Sequence, residues 1–237
     1  MIIGKQKMKT VISILASDGH GWTECVQACQ DTWANDPPEN TKIFYNYGDA
    51  FLNKHNIDIP QGSCAVGEGL IACNAPEQYG FLLMKTILAF ETLLSLEDFD
   101  YIIRPNCGSY IHLELLNKYL ESQPREKFYG GEMGEWNGIE YVSGACMVFS
   151  RDVAELLVAN KKDLHYDGTG GKMDDVAIGE FLATQSIKPT KFGKRVVCVE
   201  DDIEEKFDAN AQHYYFSSSR NPKCHYKTHE LFNGVTA

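Results

Sequence analysis

The chain has 237 residues, 43% apolar and 11% aromatic, enough to bury the core of one large α/β domain or two small ones; we read a single domain over 1–237. Asp plus Glu outnumber Lys plus Arg by 33 to 22, a formal charge of −11. That balance argues against a nucleic-acid-binding or anionic-membrane surface, since both need excess positive charge, although a local basic pocket for a phosphate is compatible with it.

In chain order, Thr10–Ala16 (TVISILA) predicts a buried strand, and Ser17-Asp18-Gly19-His20 a loop. Thr23 can cap a helix to about Trp33, which Asp36-Pro37-Pro38 ends. Lys42–Tyr47 (KIFYNY) predicts a second strand, and 49–75, with Gly62, Gly67 and Gly69 and no clear period, an irregular excursion. Tyr79, Leu82, Leu83, Thr86, Phe90 and Leu93 recur at helical spacing. Phe99–Arg104 predicts a strand, Pro105–Ser109 a loop, and His112–Glu121 a helix. Tyr141–Ser150 predicts a strand, Arg151–Asn160 a helix, Asp167–Gly171 a glycine-rich loop, Asp174–Thr184 a helix and Arg195–Glu200 a strand, before a polar, irregular tail. Strands alternating with helices imply a mostly parallel central sheet flanked by helices. Ligands of such sheets bind beyond the carboxyl ends of the strands, here after Ala16, Arg104 and Ser150 and at the glycine-rich loop.

No Cys-x-x-Cys pair occurs among the eight cysteines, so buried structural thiols are the expected reading rather than zinc or redox ligands. Val11–Ala16 is too short for a leader or a membrane span. The expectation is therefore a cytoplasmic protein with reduced thiols and no membrane span.

Four blocks in order resemble the Fringe and β-1,3-galactosyl/N-acetylglucosaminyltransferase family. They are Gln30-Asp31-Thr32-Trp33; Met84-Lys85-Thr86 with the strand running into Asn106-Cys107-Gly108 before Ser109-Tyr110-Ile111; YVSGACMVFSRDVAELL from Tyr141; and MDDVAIGEFLATQSIKP from Met173. The resemblance implies a GT-A-type, Rossmann-like α/β fold, with a nucleotide-binding half over about 8–110 and an acceptor and catalytic half over about 111–237. It also implies an inverting, soluble enzyme of glycan biosynthesis that moves a hexosyl or pentosyl group from a nucleotide sugar, usually UDP-linked, to a hydroxyl of a glycan or glycoprotein. Lacking an anchor segment, the chain is similar to the stand-alone members of bacteria and large DNA viruses, and for a viral member the location would be the host cytoplasm.

Inverting transfer needs a base on the acceptor hydroxyl, and a carboxylate in hydrogen-bond reach serves. The resemblance assigns that role to Asp175, with Asp174 and Gly144 on the acceptor side, although two acids opening a helix are also what capping and the helix dipole favour. Ser143-Gly144-Ala145 is small enough to admit a sugar close to the backbone, or to suit plain strand packing. On the donor side, Ser17 and Asp18 follow the first strand and suit a base or ribose. Lys85, Arg104 and Arg220 offer positive charge, Asn106 and Ser109 flank the family's acidic triplet position, and His213 falls where the family often has a late histidine. Family members usually hold Mn²⁺ or Mg²⁺ through that triplet, but Asn106-Cys107-Gly108 has no carboxylate. Weak metal binding helped by His213, replacement of the metal by positive side chains, and a non-catalytic nucleotide-sugar or glycan binder all stay open here. A nucleotidyltransferase is a third class, but Ser17-Asp18-Gly19-His20-Gly21 is a poor phosphate loop for it.

Overall fold

The computed structural model describes residues 7–19, 21–164, 173–192, 194–197, 215–218 and 221–234. The first strand, β1 (Thr10–Leu15), is buried along its whole length, as a central parallel strand must be. It leads to α1 (Trp22–Asp31), β2 (Thr41–Tyr47) and the short α2 (Asp49–Lys54). The excursion expected to be irregular contains α2 and a hairpin of β3 (Cys64–Gly67) and β4 (Leu70–Cys73). These elements are too short to show a period. The hairpin turn depends on Gly69, whose φ of 62° is left-handed.

Next come a 3₁₀ turn (Tyr79–Phe81), α3 (Leu82–Leu96), β5 (Tyr101–Pro105), β6 (Ser109–Ile111) and α4 (Leu113–Leu120). The strands β7 (Tyr129–Trp136) and β8 (Ile139–Ser150) form a second hairpin, followed by α5 (Arg151–Ala159), α6 (Asp174–Thr184) and β9 (Thr190–Lys191). The remaining elements are β10 (Lys194–Val197), β11 (Tyr215–Ser218) and α7 (Lys223–Gly234). The tail expected to be irregular thus carries a strand and a three-turn helix.

The main sheet has the order β3-β4-β2-β1-β5-β8-β7-β9. Four of its seven pairings are parallel: β4 with β2, β2 with β1, β1 with β5, and β7 with β9. β8 runs antiparallel to β5, with Arg104 opposite Met147 and Pro105 opposite Cys146. This pairing brings residues just before Cys146 to the carboxyl end of β5. Alternate side chains of each strand feed two cores. Val11 and Ile102 pack with α3, α5 and α6 on one face, and Ile12, Ile14, Tyr101 and Ile103 pack with α1 and α4 on the other. β6, β10 and β11 form a separate small sheet. Among the described residues, no helix is long and apolar enough to cross a membrane.

Candidate active site

The carboxyl ends of β1 and β5 are joined where Cys107 N–H donates to Leu15 O (3.1 Å), beside the bridge of Leu15 to Asn106. A cleft of about 120 Å³ opens there, lined by Ala16, Ser17, Trp22, Glu77, Lys85 and Asn106 among others. It is smaller than a typical pocket for a whole ligand. A larger groove of about 920 Å³ lies at the opposite end of the sheet, near Asn40, Asp31 and His112, and none of the residues expected in the site lines it.

One wall of the cleft is set by a buried lysine. Lys85 Nζ donates to Ala16 O (2.8 Å) and Glu77 Oε1 (2.7 Å), at 1% exposure. Glu77 in turn accepts from Gly48 N–H through Oε2 (2.5 Å), while its own N–H donates to Asp49 Oδ1 (2.8 Å). An ammonium carries three donors, and among the described residues two of those of Lys85 are engaged. Glu77 and Trp22 were not singled out in the sequence. A lone lysine in the apolar run LLMKTILAF signals a buried cation in need of a carboxylate, and Glu77 is the acid just upstream.

Asp18 and Ser17 follow β1 as expected. Asp18 pairs with Lys54 through Oδ1 (3.3 Å), and its other oxygen, Oδ2, is buried without a partner among the described residues. Ser17 Oγ accepts from Gly19 N–H (3.0 Å), a local turn that holds the loop.

The second wall is built around Arg104. Its guanidinium is 1% exposed: Nη2 pairs with Asp174, and Nη1 donates to Gly144 O (2.5 Å) and Asn106 Oδ1 (3.3 Å). Asp174 is itself 5% exposed. Arg104 and Asp174 therefore face each other inside the protein rather than a donor and an acceptor, because a buried charge needs its counter-charge more than a solvent-facing one does. Ser109 is likewise fully buried, donating to Ala145 O (2.8 Å). These three residues fix the positions of others instead of lining the cleft.

Gly144 also serves the frame. A Cβ there would stand 3.0 Å from Arg104 Nη1 and 3.3 Å from Asp175 Oδ2, so the missing side chain makes room for those two groups rather than for a sugar. Asp175, in the first turn of α6, is half-buried. Its Oδ2 accepts from Gly144 N–H (2.9 Å) and its Oδ1 from Val176 N–H (2.9 Å). Burial, and next the charge of Asp174, raise the Asp175 carboxyl above the usual carboxylate range, while the Gly144 N–H and Arg104 oppose that rise. Asp175 is thus joined through Gly144 and Arg104 to Asn106 at the cleft. His213, Arg220, His20 and the glycine-rich loop lie outside the described residues.

The triplet at the end of β5 does not fit a hard divalent cation. Asn106 Oδ1 is engaged by a guanidinium, and burial pushes the Cys107 thiol up to about 12, so it stays protonated. No cluster of three or more His, Cys, Asp or Glu side chains among the described residues is arranged to hold a metal.

No protein-family model and no curated protein sequence matches the chain. Its similarity lies in shape. The glycosyltransferase GlyE of Streptococcus pneumoniae TIGR4 superimposes at a TM-score of 0.50, with 11% identity, over 88% of this chain and 54% of that one. The apo form of GlyE gives 0.45 at 10% identity over 77% and 45%. A galactosyltransferase, LgtC, in complex with donor and acceptor sugar analogs gives 0.46 at 12% identity over 95% and 94%. This chain spans about half the length of GlyE. The fold is the GT-A-type α/β architecture, with helices on both faces of a mostly parallel sheet.

Proposed function

We propose that the chain is an inverting glycosyltransferase. It takes a nucleotide sugar, UDP-linked, in the cleft beyond β1 and β5, and transfers the sugar to a hydroxyl of a glycan acceptor with Asp175 as general base. The observation that carries this reading is the Asp175 carboxylate, partly desolvated and fixed by the N–H of Gly144 in β8, the strand paired with β5. A base tuned upward holds a proton more firmly at the moment of transfer. Asp18 Oδ2, a buried acceptor with no partner among the described residues, suits a ribose hydroxyl, and the aromatic face of Trp22 suits the base. Lys85 offers its remaining N–H to the diphosphate. No step is assigned to a metal, since the Asn106–Gly108 donors do not suit one.

The test is turnover of a panel of UDP-, GDP- and dTDP-sugars, each with and without Mn²⁺, with the product anomer read by NMR. We expect turnover with inversion, and an Asp175→Asn variant that binds donor but loses about 10²- to 10⁴-fold in kcat. A variant matching the wild type with every donor, or a product of retained configuration, would reject Asp175 as the inverting base.

A further inference from the structure

We propose that Cys64 and Cys73 form a reversible disulfide across the β3–β4 hairpin, a modification site at the edge of the main sheet. The two residues are direct partners in the antiparallel register, and their sulfurs lie 2.8 Å apart. On the adjoining pair, Asn74 N–H donates to Ser63 O (2.8 Å), which places Cys64 and Cys73 at a pair that exchanges no backbone bonds. Such pairs hold their Cα atoms at about 4.5 Å, within the window a disulfide spans, so the link forms without moving the strands.

The two thiols differ in the way exchange chemistry needs. Cys64 is half-buried and opens onto a cleft of about 470 Å³ beside Leu88, Glu91 and Lys161. Its hydrogen bond with Cys73 holds its thiol below the ordinary range. Cys73 is fully buried, and that same contact, with burial, holds its thiol well above that range. Cys64, which an external disulfide can reach through the cleft, is therefore the attacking sulfur, and the buried Cys73 the resolving one.

With a small disulfide such as oxidised glutathione as oxidant, the Cys64 thiolate attacks one sulfur and the first small thiolate leaves. Cys73 gives its proton to that thiolate and attacks the Cys64 sulfur of the mixed disulfide, expelling the second small thiolate, which takes up the proton that Cys64 released. Two protein thiols are oxidised and one small disulfide is reduced to two thiols. Closure also converts the Cys73 thiol, whose sulfur lies 3.4 Å from Asn46 Oδ1 and 3.7 Å from Lys85 O, so the oxidation state is felt in the wall that holds Lys85.

The folded full chain is incubated with oxidised glutathione, its remaining thiols are alkylated, and its peptides are mapped without reduction. The expected product is a Cys64–Cys73 cross-linked peptide lacking two hydrogens, with Tm raised by about 5 °C and both changes reversed by dithiothreitol. Cys64→Ser should lose both responses while keeping the melting curve of the reduced wild type. Free alkylation of both residues after oxidation, a mixed disulfide persisting at Cys64, or cross-links from either residue to another cysteine would overturn the proposal. The wild-type map decides the matter even if a variant fails to fold.

Discussion

Asp174 and Asp175 are adjacent in sequence but occupy different environments. Asp174 is locked against Arg104 in the interior, and Asp175 is half-buried with two backbone donors. Breaking a buried pair leaves a charge with no compensation, so Asp174→Ala should lower stability by about 3–5 kcal/mol in denaturant titrations. Asp174→Asn, which keeps an acceptor for Arg104, should cost less. For Asp175 the raised carboxyl sets the sign of two pH effects. Catalysis by an ionised base should switch on only as pH climbs past its elevated value, so the ascending limb of kcat/KM lies higher than an ordinary carboxylate would place it. For stability, the folded state binds this proton more tightly than the unfolded chain, so its contribution declines as pH rises through the unfolded carboxylate value to the folded one. A limb at the ordinary carboxylate position in the kcat/KM profile would contradict the assignment. The sequence singles out Asp175 through its motif but does not announce the inward turn of Asp174, because two acids at a helix start read alike until the partner strand is known.

At the scale of elements, α6 is held against β8 through a glycine. A Cβ on Gly179 would meet Tyr141 Cβ at 2.6 Å and Glu140 O at 2.9 Å, which are rigid parts of the neighbouring strand. Gly179→Ala should therefore push the helix outward, costing about 1–3 kcal/mol by thermal or chemical unfolding. Turnover should fall by more than stability alone explains, because the same shift lengthens the Asp175 to Gly144 bond. A helix with a long periodic face is readable from sequence, as α3 shows. The hairpin of β3 and β4 is not, since four-residue strands broken by glycine carry too few side chains to display alternation. β7 was missed for a related reason: its sequence YGGEMGEW is rich in glycine and acid, and it becomes a strand only by pairing with β8.

At the scale of the molecule, the carboxyl-terminal helix α7 closes the face formed by α1 and β6. Its His225 is 1% exposed and lies 3.9 Å from the Cys29 sulfur, with its ring against Tyr110. Burial lowers its imidazole to about 4, so it is neutral where the unfolded chain would already be charged. Below the unfolded value near 6.5 the unfolded state binds more protons, and stability should fall as pH drops toward 4, by roughly 3 kcal/mol from this one group. Unfolding free energies of wild type and His225→Gln, measured across that interval, should converge toward the acid end. Parallel curves would show that another group is responsible. Nothing in the polar tail sequence announced this helix, because its buried face consists of Cys224, His225 and Thr228 rather than of aliphatic residues.

The wall around Arg104 is assembled from parts distant in the chain: the end of β5, the middle of β8 and the start of α6. On a ribosome these parts emerge one after another, and the first of them waits without its counter-charge until more than half of the remaining polypeptide has been made. A nascent domain can therefore shape its first parallel strands early, while its candidate chemistry comes into being only once the start of α6 has cleared the exit tunnel.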